Sequence, residues 1–442
     1  MPFRSVFRSL QAISTAMPMP WWRESAADRS RILRRFWWDG VLARLSDAFV
    51  VDYVPLFALT MGAGPREIGW LNGLAQLIYA ALLIPGARLA ERWGHRKALV
   101  MVSVALARAN LLLWALMPFF LSGSPAVRLI VLTGALRVGL WGLGLPAWTS
   151  LVGDWVPREI RGRYFGWRNI GSGLAALAGV AAAGAMITAL GGVQGYQAAF
   201  AIAFLVGGIG WMLFASIPEI GSGMVRGKQL PPWRQVRQQP AFLRYLAMAG
   251  AWNFAVFSAG PFFNVHLVQN LKADARTVGL LSMVSTLTAL IGQWVFGRWS
   301  DRIGSPRGLL WAGVWIPLLP WAWLLARSPW HVLPINALAG FLWAGFELCS
   351  LNTLLTFSPP ETRPRYAALY NLISGISAAL GAATGGWIAA RWGFYPLFAL
   401  SGFGRALAIG IYRWKVLPCL SEGDLQKPSG SERDRSELVP SG

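Results

Sequence analysis

Ionisable side chains are scarce in this sequence, and several stand inside long apolar runs where an unpaired charge is costly. Asp47 and Asp52 share one run with Arg44, Arg108 lies in a second, Arg137 in a third, Glu347 in a fourth and Arg405 in a fifth. A carboxylate in such a place can exchange a proton, with its proton affinity set by burial against a neighbouring cation. Charges at that depth face a bundle interior or a wet cavity rather than lipid, which makes them site candidates by default. Asn253 and Asn371 add neutral hydrogen-bonding groups in the second part of the chain.

Depth follows from a rise of about 1.5 Å per helical residue. On that measure Asp52 lies level with Arg137 and Asp47 level with Arg108, so an Asp52–Arg137 ion pair fits the geometry. The two aspartates are about 140° apart around a helix and should not serve one site. One faces a pathway, and the other packs against Arg44 or Arg108. Either can be the protonatable group, with Arg137 as its modulating cation. Ion pairs that only fix helix register are the alternative. Glu347 is the next candidate, or a protonated group bonded to a neighbouring helix.

A second kind of chemistry is written twice. RLAERWGHRK, from Arg88 to Lys97, and RWSDRIGSPR, from Arg298 to Arg307, each place an acid, an arginine and a glycine before a group of bases. An acid near a helix end, cations able to grip it and a glycine for a tight turn can form an electrostatic latch. Glu91, Arg92, Gly94 and Arg96 in the first copy, Asp301, Arg302 and Gly304 in the second, and Asp154 are the expected gating group. Simple anchoring and helix capping are the alternative.

The elements that must position these residues are membrane helices. Of 442 residues 55% are hydrophobic and only 13% charged, where a soluble domain is about one quarter charged. Apolar runs of crossing length fall at 37–60, 68–87, 98–120, 128–152, 168–190, 197–217, 245–268, 278–297, 309–326, 332–357, 366–390 and 396–414. The fold class is therefore all-α and polytopic, because these runs are too long and too continuously apolar for barrel strands. Most of the 40 Lys and Arg fall in the tails and in one set of loops. That bias places both termini in the cytoplasm and ascribes the net charge of +21 to topology and an anionic leaflet rather than nucleic acid. The expected division is a cytoplasmic tail over 1–36, a six-helix bundle over 37–217, a linker over 218–244, a second bundle over 245–415 and a disordered tail over 416–442.

The chain also repeats itself. A fixed shift pairs Gly69 with Gly279, Glu91 with Asp301, Arg92 with Arg302 and Gly94 with Gly304; a slightly shorter one pairs Glu159 with Glu361, Arg161 with Arg363, Tyr164 with Tyr366 and Asn169 with Asn371. Two parallel six-helix halves imply a pseudo-two-fold axis along the membrane normal and a pathway at their junction.

ARLAERWGHRK and GRWSDRIGSPR resemble the loop 2-3 and loop 8-9 signature of the major facilitator superfamily, with Ala87 and Glu91 standing where that family usually has Gly and Asp. GALRVGLWGLGLPAW resembles its fourth-helix motif through Arg137, Gly139 and Gly144. The resemblance implies twelve transmembrane helices in two halves that rock between two states. In several proton-coupled members a first-helix acid and the fourth-helix arginine exchange partners, which points to Asp52 or Asp47 with Arg137. The fifth helix lacks the Gly-Pro pairing of many antiporters, so drug/proton antiport loses support. Its small residues Gly171, Ala175, Gly179 and Ala183, with Ser377, Gly381 and Gly385 of the eleventh helix, are read as a sliding contact between halves, with ordinary close packing as the alternative. Among the tryptophans, Trp141, Trp252 and Trp343 lie deep enough to line a pathway.

No Walker A string, HExxH, nucleophile elbow or Cys/His cluster with metal spacing occurs. No enzyme activity, cofactor or metal is expected. The expected role is a secondary transporter of a small organic solute, coupled to protons, in a plasma membrane of bacterial type. An uncoupled facilitator and a non-transporting assembly or pigment-handling factor of the same fold are the alternatives.

Overall fold

The computed structural model describes residues 27–93, 95–156, 160–219, 239–357 and 363–420, and every regular element among them is helical. The first half holds α1 (Ala27–Ala48), α2 (Val54–Thr60), α3 (Pro65–Trp93), α4 (Arg96–Leu116), α5 (Gly123–Trp155), α6 (Arg161–Leu190) and α7 (Gly192–Ala215). The second holds α8 (Pro240–Ala259), α9 (Phe263–Gln269), α10 (Ala275–Ile303), α11 (Ser305–Trp315), α12 (Leu318–Leu324), α13 (Val332–Phe357), α14 (Arg363–Trp392) and α15 (Phe394–Ile411). Twelve passes result, with both described ends of the chain on one face, called here the terminal face.

Ten of these passes are long and apolar enough to cross a membrane without interruption. The other two are split. Sequence reading expects one continuous segment at 37–60 and another at 309–326, but each carries a proline that cannot donate its i→i−4 hydrogen bond. Pro55 leaves the Val51 carbonyl without that donor, and the chain from Phe49 to Tyr53 forms tight turns between α1 and α2. Pro317 separates α11 from α12 in the same way. The first helix also begins earlier than a tail over 1–36 allows. Ile32, Leu33 and Phe36 are buried within α1 against Trp155 and Tyr164.

The core is distributed unevenly along the membrane normal. At the face opposite the termini a single apolar cluster joins both halves, from Tyr53 and Phe57 to Phe262, Val278 and Phe398. At the terminal face each half has its own, around Trp155 and Tyr164 in the first and around Tyr245 and Tyr412 in the second. The halves are thus joined at one end and cored separately at the other.

Two helix pairs make most of the junction, α3 with α14 and α6 with α10, and α2 meets α9 beside them. They exploit the glycine pair that the repeat matches. A Cβ added at Gly69 would lie 2.7 Å from the Ala382 carbonyl, and one at Gly279 would lie 3.0 Å from the Val180 carbonyl, so only glycine lets each backbone approach the other half. The small-residue stripes do something else. Gly171 and Gly179 admit Trp37 and Leu45 of α1, while Gly381 and Gly385 admit the backbone of α8. They pack helices within a half, so the expected sliding contact between halves gives way to close packing.

Candidate functional site

Beside the break in the first crossing, a cavity of about 410 Å³ opens inside the first half. Asp39, Ala43 and Asp47 follow each other at four-residue spacing and so share one face of α1 toward it. α4 supplies Ser103 and Arg108, α5 supplies Arg137, Trp141 and Trp148, α6 supplies Arg168, and α7 supplies Gly207 and Trp211.

Arg137 Nη2 donates to Asp47 Oδ1 at 2.8 Å, with the two side chains 17% and 34% exposed. The pair is therefore desolvated in part and still open to the cavity. Arg108 donates to Ser46 Oγ, whose hydroxyl donates onward to the Ala203 carbonyl at 2.6 Å, tying α4, α1 and α7 together. The guanidinium occupies the space that a side chain at Gly207 would fill. Arg168 occupies the equivalent space above Gly40, with its guanidinium carbon 4.5 Å from the Phe36 ring centroid and 5.8 Å from that of Trp148, a cation–π arrangement. Asp39 is within electrostatic reach of Arg168 and Arg108, and Arg44 within that of Arg168.

Asp47, Arg108 and Arg137 are brought together as one group. Asp52 is not among the cavity-lining residues; it faces Ser282 of α10 across the junction, beside Tyr53, whose hydroxyl donates to the Val180 carbonyl at 2.7 Å. Arg137 therefore pairs with Asp47 rather than with Asp52. The constant rise used to set depth does not hold through the turns at Phe49–Tyr53. Glu347 is exposed on α13, Asn253 donates to the Ala249 carbonyl of its own helix at 2.8 Å, and Asn371 is exposed on α14. None of the three lines this cavity. Of the deep tryptophans, Trp141 lines it, while Trp252 is buried in the second half with its ring 4.3 Å from that of Phe346. Arg405 is 2% exposed, between the rings of Trp343 and Phe263.

Sequence reasoning missed Asp39 and Arg168. The eight-residue step from Asp39 to Asp47, two helical steps of four through Ala43, is a readable signal of one shared face. Arg168 carried no comparable mark.

Of the gating group, Arg96 is nearly buried and donates to Ser150 Oγ at 2.6 Å, meets Asp154 at 2.8 Å and Glu219 at 3.8 Å. These contacts clamp α4, α5 and the segment after α7, all within the first half. Gly304 turns the chain between α10 and α11 with a φ of 83°, and Arg302 is exposed. Gly94 and the side chains of Glu91, Arg92 and Asp301 lie outside the described residues. Asp274, at the face opposite the termini, caps α10 by accepting from Thr277 N at 2.9 Å. The Thr277 hydroxyl and amide hold its carboxyl below the usual value.

The model of the Major Facilitator Superfamily matches residues 40–268 and again 253–437, once over each half. The chain belongs to the major facilitator superfamily. Similar to this superfamily member is the multi-drug resistance efflux pump PmrA of Streptococcus pneumoniae, 23% identical over 386 residues that cover 83% of this chain and 91% of the pump. In fold it is similar to a mutant of the nucleoside transporter NupG, with a TM-score of 0.69 at 11% identity over 86% of this chain and 99% of the other. A bacterial homologue of the lysosomal transporter Spinster, inward-facing and occupied, gives a TM-score of 0.68 at 15% identity over 92% and 100%. This superfamily member is a multi-pass membrane protein of a transporter family.

Proposed function

We propose that this protein is a secondary transporter that moves a small organic solute by alternating access, coupled to protons through Asp47 and Arg137. The observation that carries the reading is the Asp47–Arg137 pair at 2.8 Å on the wall of a cavity inside the first half. A partly solvated ion pair of this kind can be broken by one proton, and a cation so released is free to take a new partner. Asp47 is the protonatable group in this scheme; Asp52 serves the seal between halves.

The distribution of bases puts the terminal face in the cytoplasm, so halves joined at the opposite face leave the pathway open inward. The two halves, 37–217 and 245–415 with a linker between them, are the bodies that rock. Arg96 with Asp154, and the repeated acid-Arg-x-Gly turns, brace the cytoplasmic ends of each body during the swing. Glu347, Asn253 and Asn371 belong to the second body's contribution to the pathway. The efflux pump named above aligns with 83% of this chain, which supports export as one direction of transport.

The test is solute-induced proton movement in proteoliposomes, read with an enclosed pH-sensitive dye while a solute library is applied. Asp47→Asn should abolish the proton signal while Asp52→Asn retains it. A proton signal unchanged in Asp47→Asn contradicts the assignment, and solute flux that ignores an imposed pH gradient selects the uncoupled facilitator.

A further inference from the structure

The cavity wall carries four guanidinium groups, Arg44, Arg108, Arg137 and Arg168, against two carboxylates, Asp39 and Asp47. Of these four, only Arg137 has a carboxylate at ion-pair distance among the described residues. Asp39 lies within reach of two arginines without closing on either. Even with both acids ionised, the wall keeps a positive excess inside a membrane bundle, where unbalanced charge is costly until a counter-charge arrives. The remaining wall is mostly apolar, with Trp141, Trp148 and Trp211 along it. Ser103, 2% exposed and on the same wall, has a hydroxyl with no hydrogen-bond partner.

From this charge balance we infer that the cavity takes a small organic anion, a carboxylate, sulfonate or phosphate joined to an apolar body. The oxyanion is held by Arg108 and Arg168, with Arg44 beside them, and the apolar part lies against the tryptophans. Guanidinium forks suit oxyanions because they present two parallel donors at fixed spacing. The inference deepens the transporter reading and rests on it for the fate of the ligand, though not for its binding.

A link to the proton follows. The charged groups facing Asp47 are Arg137 from α5, Arg108 from α4 and Asp39 and Arg44 from its own helix; α6 adds Arg168, and α7 lines the cavity with no ionisable side chain. Protonating Asp47 releases Arg137 toward the same anion, so each ligand favours the other by reciprocal linkage.

Calorimetry and thermal shift on the purified full-length protein in neutral detergent test this with four matched probes: benzenesulfonate, benzoate, neutral benzamide and cationic benzylammonium. The two anions should bind and raise Tm, while benzylammonium does neither. Arg108→Gln and Arg168→Gln should each weaken benzenesulfonate binding at least about tenfold, with Arg108→Lys recovering part of the loss. Arg44 is exposed, so Arg44→Gln keeps a folded protein and should still weaken binding. Stronger binding of benzylammonium, no binding of either anion, or affinity indifferent to all three arginines overturns the inference. So does displacement of benzenesulfonate by phosphatidylglycerol in nanodiscs, which would make the cavity a lipid-headgroup site. Flux of a neutral or cationic solute without anion binding sinks the anion inference and spares the transporter reading; anion binding without flux of any solute does the reverse.

Discussion

Asp47 and Arg137 are worth more together than apart. Asp47→Asn leaves a guanidinium in the bundle without its carboxylate, and losing a hydrogen bond to a charged group costs about 1.5–3 kcal/mol. The double variant Asp47→Asn with Arg137→Gln removes both charges and should recover most of that loss. A double-mutant cycle in thermal unfolding measures the coupling; strictly additive losses would show that the pair contributes nothing as a pair. Both residues were legible in the sequence because charge stands out in an apolar run. Their partnership was not, since it depends on how Pro55 breaks the helix ladder, and a proline marks a break without saying where the side chains around it will point. Asp39 and Arg168 were hidden for a related reason: near a helix end a charge reads as interfacial until the neighbouring helices are known to extend past it.

Helix ends and helix faces decide the next level. Gly69 and Gly279, matched by the repeat, each permit a close approach between halves, so Gly69→Val should push α3 away from Ala382 and loosen the seal at the face opposite the termini. Thiol labelling of a cysteine placed at Gln76, deeper on the same helix, should rise in that variant from the opposite side; unchanged labelling would mean the seal does not depend on this contact. At the start of α10, Asp274→Ala removes a cap worth about 1 kcal/mol. Its carboxyl is held below the usual value by Thr277. The stabilisation is thus full above the unfolded-state pKa, about 3.9, and is lost as pH falls through the lower folded value. Protection against hydrogen exchange in the first turns of α10, after correction for the intrinsic pH dependence of exchange, should fall on acidification in the parent and lose that dependence in Asp274→Ala. The number of crossings could be read from apolar length, but not every limit: α1 begins at Ala27, well before the apolar run that starts at 37. The faces could not: the stripes at Gly171 to Ala183 and Ser377 to Gly385 announce close packing, but spacing alone does not name the helix that fills them.

At the scale of the whole molecule, the halves share one apolar core at the face opposite the termini and are cored separately at the terminal face. Internal repetition made the two halves visible in sequence, whereas the uneven core was invisible because it depends on which state the halves adopt. A rocking transporter must reverse this arrangement, sealing the terminal face as the other opens. Spin labels at Arg88 and Arg302 report the gap between halves at the terminal face, and labels at Leu190 and Lys272 report it at the opposite face. Pulsed electron–electron resonance on both pairs, in nanodiscs at acidic and alkaline pH with and without benzenesulfonate, tests the motion directly. Alternating access predicts two distance populations at each face, with the terminal pair drawing together under the same conditions that part the opposite pair. A single unchanging distribution at both faces under every condition would contradict it.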